Sequence, residues 1–305
     1  MRTVTGVPSR PAAVAPRPRE RLEVRSGDGT PLYVEVYGPP EGTTVVLVHG
    51  WTGSIELWNR QLRDLSEQFR LVAFDQRGHG RSGIPGAAGY TTDALADDLA
   101  AVLQATLRPA ERAVLAGHSM GAATIVALAG RHPELVADRV AGVLLASTGV
   151  DELVVRGRLV PLPLPLARAA RPLTTLLLTS RTSRRRDSWL TRRAVRYATL
   201  SRSASIDEVA ICTGMTVACA PRTRQGFART LARLDLSAAL PNLAVPAIVL
   251  VGTADRLTPV WHARRLAAAL PRCLRLVEVP GVGHMTPLQS AAVLAGAVRD
   301  LATAT

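Results

Sequence analysis

The chain has 305 residues, of which 47% are hydrophobic, and its formal net charge at pH 7 is +13. This length and apolar content are sufficient for one large α/β domain with an insertion, and the longest apolar runs are too short to span a bilayer. The spacing of Cys212, Cys219 and Cys273 fits neither a disulfide framework nor a metal site. We therefore expect buried free thiols in a reducing compartment.

The positive charge comes from arginine alone, because the sequence contains no lysine. Residues 1–25 have 6 Arg against 2 acidic residues, residues 151–235 have 16 against 6, and the rest have 15 against 16. A strongly basic chain is typical of polyanion binding, but the basic central segment has too few aromatic residues to predict nucleic-acid binding. A compositional preference for arginine and alanine is the other interpretation of this charge.

The first twenty residues predict a disordered, extended tail. They contain Pro8, Pro11, Pro16 and Pro18 together with several arginines, and they lack the apolar centre of a secretory signal. We therefore expect a cytoplasmic protein whose ordered structure begins at residue 21.

After the tail, apolar runs alternate with helical patterns. Residues 22–25 and 32–37 predict a β-hairpin. Continuous apolar runs predict strands buried on both faces at residues 45–48, 71–74, 113–116, 143–146, 247–251 and 274–279. Helices are predicted at about residues 58–68, 92–107, 120–131, 260–269 and 287–303. This order predicts an α/β fold with a mostly parallel central sheet and helices on both faces.

The alternation stops after residue 146 and resumes near residue 243. We assign residues 21–150 and 236–305 to the core, and residues 151–235 to an inserted, mainly helical, arginine-rich lid. Within the lid, residues 159–166 alternate proline with leucine or valine, which excludes a regular helix or a central strand. This stretch predicts an extended apolar flap.

Ser119 is the candidate nucleophile. It lies at the centre of Gly117-His118-Ser119-Met120-Gly121, between a predicted strand and a predicted helix. A sharp strand-to-helix turn holds its apex residue in a strained conformation and needs small residues two positions away, which both glycines supply. The pentapeptide alone could arise by chance, so an acid and a histidine after later strands are needed to support it.

Asp255 is the candidate acid, because it follows the predicted strand 247–251 at the sheet edge where α/β proteins place their sites. We assign the capping of the next helix to Thr258. Asp151 and Glu152, which follow the strand ending at residue 146, are the alternative acids.

His284 is the candidate base, since it lies in a glycine-containing loop after the last predicted strand. The other histidines are less suitable. We expect His49 and His118 to brace loops, His79 to lie in a turn, and His132 and His262 to be exposed on helices.

The order Ser119, Asp255, His284 resembles the nucleophile, acid and base order of the α/β-hydrolase superfamily. The resemblance extends over about residues 21–303, and its most specific motifs are residues 48–54, 75–82, 117–121, 252–255 and 281–284. It implies a serine hydrolase, esterase or lipase-like, without metal or cofactor. It also implies that the backbone N–H groups of Trp51 and Met120 form the oxyanion hole.

The substrate is less well specified. An apolar flap and lid favour an ester with an apolar or lipid-like acyl group, whereas the basic lid favours an anionic substrate or peripheral contact with an anionic membrane. Arg184, Arg185, Arg186, Arg192 and Arg193 are the candidate contacts, and a solvated helix face is the alternative. Alternative functions for the chain are carbon–carbon bond hydrolysis or cofactor-free perhydrolysis with the same three residues, or binding with little turnover.

Overall fold

The computed structural model describes residues 16–153, 166 and 187–303. The described residues form eight strands: β1 Glu20–Arg25, β2 Pro31–Tyr37, β3 Thr44–Val48, β4 Arg70–Phe74, β5 Ala113–His118, β6 Val140–Ala146, β7 Ala247–Gly252 and β8 Cys273–Val279. They build one sheet in the order β1-β2-β4-β3-β5-β6-β7-β8. β2 is antiparallel to both of its neighbours, and the other pairs are parallel.

The central strands are buried along their whole length because helices cover both of their faces. Every residue of β3, β5, β6 and β7 is buried. A parallel arrangement places the carboxyl ends of these strands at one edge of the sheet, so the loops that follow them can meet there.

The helices form a layer on each side of the sheet. Numbered along the described residues, they are α1 Asn59–Leu65, α2 Thr92–Thr106, α3 Met120–Arg131, α4 Pro133–Arg139, α5 Trp189–Thr199, α6 Ile206–Ala218, α7 Pro221–Ala232, α8 Val260–Ala269, α9 Thr286–Gln289 and α10 Ala291–Thr303. Residues of α2, α3, α4 and α8 join the core on one face of the sheet, and residues of α1 and α10 join the core on the other face. Short 3₁₀ helices lie at Ile55–Trp58, Ala87–Gly89 and Ser237–Asn242.

Within the segment predicted as a lid, α5, α6 and α7 each have a favourable first turn. The Ser188 side chain caps α5, Ser205 and Glu208 form a capping box at α6, and Pro221 opens α7. Asp151 and Asp235, at the two ends of the predicted lid, form an isolated antiparallel bridge. The chain therefore leaves and re-enters the core at neighbouring positions.

The predicted fold class is confirmed, and the predicted strands all occur. The burial predicted for residues 274–279 was wrong, because β8 is the edge strand of the sheet and has no buried residue. Three other local expectations were wrong. β1 begins at Glu20, so this residue belongs to the sheet and not to the tail. The helix predicted at 287–303 is two helices, α9 and α10, separated at Ser290. Helix α4 was not predicted, because it is a short segment that begins at a proline directly after α3.

Part of the predicted organisation cannot be compared with the structure. Residues 1–15 of the tail, residues 159–165 of the flap and the arginines at 184–186 lie outside the described residues. In the ranges that are described, every helix is too short or too polar to cross a lipid bilayer.

Candidate active site

Ser119 occupies the tight turn between β5 and α3. Its backbone has φ 53° and ψ −118°, a strained conformation for a residue with a side chain. A Cβ atom on Gly121 would lie 2.5 Å from the His49 carbonyl oxygen, and one on Gly117 would lie 2.6 Å from the Ala122 nitrogen. Both glycines are therefore required for the turn to pack against the sheet.

The structure brings Ser119, His284 and Asp255 into one hydrogen-bonded chain. His284 Nε2 lies 3.0 Å from Ser119 Oγ, and His284 Nδ1 lies 2.8 Å from Asp255 Oδ2. The imidazole and the carboxylate are buried, whereas Ser119 is partly exposed. Because a carboxylate only accepts, Nδ1 carries the proton and Nε2 is free to accept the serine proton.

Asp255 is held in place by four hydrogen-bond donors. Its Oδ1 accepts the N–H groups of Leu257 and Thr258 at 2.8 and 2.9 Å. Its Oδ2 accepts the Thr258 hydroxyl at 2.8 Å in addition to His284. The expectation that Thr258 caps the next helix was wrong: the N-cap of α8 is Pro259, without a side-chain bond, and Thr258 instead orients the carboxylate.

The alternative acid Asp151 has a different partner. Its carboxylate forms an ion pair with Arg265 at 2.7 Å, and its backbone takes part in the bridge at the base of the predicted lid. Asp255, and not Asp151, is the acid that contacts His284.

The loop that carries His284 is packed tightly on its neighbours. A Cβ atom on Gly252 would lie 2.5 Å from the Gly283 carbonyl oxygen, and one on Gly283 would lie 2.7 Å from the Ser201 nitrogen. The His118 ring donates from Nε2 to the His284 carbonyl oxygen at 2.9 Å. Burial, followed by the neighbouring His284, lowers the pKa of His118 to about 3, so this ring is neutral.

Gln289 connects this loop to the end of α5. Its Oε1 accepts the Gly283 N–H at 3.0 Å and the Ser201 N–H at 3.1 Å. The Met285 N–H also donates to the Thr199 carbonyl oxygen at 3.1 Å. The position of the His284 loop is therefore coupled to helix α5.

Near Ser119, the backbone N–H groups of Trp51 and Met120 have no acceptor among the described residues. Met120 is the first residue of α3, where helical N–H groups carry partial positive charge. Trp51 follows Gly50, and the Gly50 backbone lies close to Ser119. A Cβ atom added to Gly50 would lie 3.1 Å from Ser119 Cβ. The residues that the sequence predicted for the oxyanion hole thus flank the serine.

The loop that carries Trp51 is held by residues of the 75–82 motif, for which no role was predicted. The Gln76 N–H donates to His49 Nε2 at 2.9 Å, and the Thr52 N–H donates to His79 Nε2 at 3.2 Å. Burial lowers the pKa of His49 to about 4 and of His79 to about 3, so both accept as neutral rings. The position of this motif directly after β4, at the carboxyl edge of the sheet, was the signal for such a role.

His262 differs from its prediction. It was expected to be exposed on a helix, but it is buried at 2% exposure and packs against the Gly149 backbone. The position of the β6 loop over α8 causes this burial, and that position is not visible in the helix sequence.

An apolar, largely aromatic cluster borders Met120 and Trp51. Phe227 of α7 is fully buried in it, with its ring 5.2 Å from Tyr90 and 5.6 Å from His79. Leu95 and Leu231 complete the cluster. The side chains packed beside Met120 and Trp51 are therefore mainly apolar, and some of them come from the predicted lid.

The residues described by the structure contain no group of three or more His, Cys, Asp or Glu side chains that could hold a metal ion. The polar groups around Ser119 are those of a proton-transfer chain.

Residues 43–291 match the alpha/beta hydrolase fold family. The chain belongs to this family, and its fold and relatives define it as a hydrolase of the α/β class.

Among its relatives is the bifunctional esterase/perhydrolase of Acinetobacter calcoaceticus, which is 28% identical over 271 residues, 88% of this chain and 94% of that protein. The structure of a thermophilic esterase from Thermogutta terrifontis has a TM-score of 0.73 at 27% identity, and covers 92% of this chain and 97% of its own. That of the esterase RhEst1 from Rhodococcus has a TM-score of 0.74 at 26% identity, with 93% and 98% covered. Proteins named as esterases thus match this chain over nearly its whole length, at 26–28% sequence identity.

Proposed function

We propose that this protein is a carboxylic-ester hydrolase that acts through an acyl intermediate on Ser119. The observation that carries the proposal is the continuous chain from Ser119 Oγ to His284 at 3.0 Å and from His284 to Asp255 at 2.8 Å. A serine hydroxyl is a weak nucleophile at neutral pH, and a neutral imidazole at this distance can remove its proton during attack.

In the acylation step, Ser119 Oγ bonds to the ester carbonyl carbon while its proton passes to His284 Nε2. The resulting imidazolium donates from Nδ1 to Asp255, whose charge stabilises it. When the tetrahedral intermediate collapses, the carbon–oxygen bond to the alcohol breaks and His284 returns the proton to the leaving alkoxide. Water then attacks the carbonyl carbon of the acyl-serine while His284 removes its proton. The bond from that carbon to Ser119 Oγ breaks, His284 returns the proton to Oγ, and the carboxylic acid leaves.

The N–H groups of Trp51 and Met120 would stabilise the negative oxygen of both tetrahedral intermediates. Each lies beside Ser119 and has no other acceptor among the described residues. Loss of one such donor typically costs about 3 kcal/mol of transition-state stabilisation.

The apolar cluster of Phe227, Tyr90, Leu95, Leu231 and Met120 supports an apolar acyl or alcohol group as the substrate. Apolar side chains beside the serine exclude water. Burial of the alkyl or aryl surface of a substrate against them is favourable by about 25 cal/mol per Å². An ester with an apolar or lipid-like acyl chain is therefore the substrate class that we propose.

The test uses p-nitrophenyl esters of increasing acyl length. We expect the unmodified protein to hydrolyse them, and Ser119→Ala to reduce kcat by at least about 10⁴-fold while the thermal unfolding midpoint changes little. Ser66→Ala, at the partly exposed end of α1, is the matched control and should retain full activity. Equal activity in Ser119→Ala and Ser66→Ala would exclude Ser119 as the nucleophile.

Perhydrolysis is a second candidate, favoured by the Acinetobacter relative, which is named as both an esterase and a perhydrolase. In that reaction hydrogen peroxide replaces water in attacking acyl-Ser119, and a peracid is released. Assays of peracid formation from a carboxylic acid and hydrogen peroxide would separate the two, because an esterase alone yields no peracid. We expect Ser119→Ala to abolish both reactions.

A further inference from the structure

Helix α5 presents an exposed surface that alternates apolar and basic side chains. Trp189 is 71% exposed, Leu190 60% and Tyr197 48%, and Ile206 at the start of α6 is 82% exposed. Trp189, Tyr197 and Ile206 border a surface groove of about 560 Å³ that is also lined by five arginines. We call this surface the α5 patch: Trp189, Leu190, Arg193, Arg196, Tyr197, Arg202, Ile206 and Arg256.

The patch follows from the helical repeat. Trp189, Arg193 and Tyr197 are four residues apart and therefore lie in one row along the helix. Val195, the one residue of α5 that is fully buried, lies on the opposite side, where α5 packs on the rest of the protein. The aromatic and basic side chains thus point together away from the fold.

Within the described ranges, none of the arginines of the patch forms an ion pair with a carboxylate. The neighbouring Arg192 differs, since it pairs with Asp187 at 2.7 Å. Arg256 stacks over the Tyr197 ring, with its guanidinium carbon 4.6 Å from the ring centre. Four positive charges therefore surround exposed apolar side chains without a carboxylate to neutralise them.

The patch is adjacent to the Ser119 site. Arg256 directly follows Asp255, and the last residue of α5, Thr199, accepts the Met285 N–H next to His284. A surface that the patch contacts would be close to the Asp255 and His284 loops.

We propose that the α5 patch docks this protein onto a bilayer surface that contains anionic phospholipid. Tryptophan and tyrosine favour the headgroup level of a bilayer, leucine and isoleucine favour the acyl boundary, and arginine binds lipid phosphate. An acidic protein or a nucleic acid would match the arginines but would leave Trp189, Leu190 and Ile206 in water, so the mixed surface fits the membrane best.

The decisive variant is Arg193→Glu/Arg202→Glu, because neither side chain makes a hydrogen bond or an ion pair with another described residue, so folding should be preserved. Its matched control is Arg19→Glu/Arg272→Glu, which changes the net charge equally at exposed positions outside the lid segment. Thermal unfolding verifies that all three proteins are folded, whether or not they hydrolyse esters.

Binding is measured by co-sedimentation with vesicles of phosphatidylcholine alone or mixed with phosphatidylglycerol. We expect the unmodified protein and its control to bind the anionic vesicles in a salt-sensitive manner, and the Arg193→Glu/Arg202→Glu variant to bind at least about 20-fold more weakly. Quenching of fluorescence by brominated lipid should occur in the unmodified protein and be lost in Trp189→Phe, since the other three tryptophans lie outside the patch.

Three results would overturn the proposal: no binding to anionic vesicles, equal binding to neutral ones, or an equal loss in the two double variants. Binding to duplex DNA without binding to vesicles would also overturn it and would identify a different polyanion. Retained hydrolysis of a soluble ester by Arg193→Glu/Arg202→Glu would show that loss of docking is independent of the proposed catalysis.

Discussion

The Nε2–H of His118 donates a hydrogen bond to the backbone carbonyl oxygen of His284, with 2.9 Å between the two atoms. The residue that precedes the candidate nucleophile thus holds the loop of the candidate base. Their rings lie 5.0 Å apart at the centroids, and His118 has only 2% exposure. In the proposed mechanism, His118 would act through His284, as a positioning residue.

His118→Leu should therefore reduce kcat about tenfold with little change in KM, because the loop loses its donor and the His284 ring is less well aligned with Ser119. His118→Gln retains an N–H that can reach the same carbonyl oxygen and should recover most of the activity. Steady-state kinetics on a soluble ester measure both. If the two variants are equally impaired, the hydrogen bond does not position the base.

The buried histidines make the fold sensitive to acid. Burial lowers the pKa of His49 to about 4 and of His79 and His118 to about 3, against about 6.5 in an unfolded chain. At pH values between the folded-state and unfolded-state pKa, the unfolded chain binds more protons than the folded protein. The stability contributed by the three neutral rings is therefore complete above pH 6.5 and decreases as the pH falls toward 3. We expect each ring to lower the free energy of unfolding by roughly 2 kcal/mol at about pH 4.5.

Urea unfolding at neutral pH and at about pH 4.5 measures this dependence. His118→Gln removes one of the three titrating groups, and its stability should change less between the two pH values, by roughly 2 kcal/mol. An identical pH dependence in the variant would mean that His118 is not buried as a neutral ring.

Gly121→Ala should destabilise the elbow strongly, because the new Cβ atom overlaps the carbonyl oxygens of Val48 and His49. We expect a loss of about 3 kcal/mol or more of unfolding free energy and loss of ester hydrolysis. Gly214→Ala in α6 is the matched control: no atom lies within 4 Å of its added Cβ, and it should stabilise the helix by about 0.5 to 1 kcal/mol. Similar effects of the two substitutions would contradict the packing of the elbow.

Gln289→Leu tests the connection between α5 and the His284 loop. It leaves the Gly283 and Ser201 N–H groups without their acceptor, which should cost about 1 to 3 kcal/mol of stability and lower kcat. The exposed Gln68, which accepts from Arg299, provides the control Gln68→Leu, with an expected change below about 0.5 kcal/mol. Thermal unfolding and kinetics distinguish the two, and equal effects would show that Gln289 does not couple the lid segment to the site.

The sequence predicted the sheet and the three residues of the site because their signals are local. Continuous apolar runs give the buried strands, and Ser119, Asp255 and His284 each follow a strand at the same edge. The contacts that orient these residues depend on loops meeting in space. The hydroxyl of Thr258 turns to Asp255, the ring of His118 reaches His284, and His262 is covered by the β6 loop, and none of these contacts has a local pattern.

Fluorophosphonate labelling tests the central claim, that Ser119 is the activated nucleophile, most directly. The reagent phosphonylates a serine that is deprotonated on attack, and peptide mass spectrometry locates the added group. We predict one adduct on Ser119 in the native protein and none in Ser119→Ala or in the acid-unfolded chain. An adduct on another residue would contradict this claim. A folded native protein that contains unmodified Ser119, His284 and Asp255 and is not labelled would also contradict it.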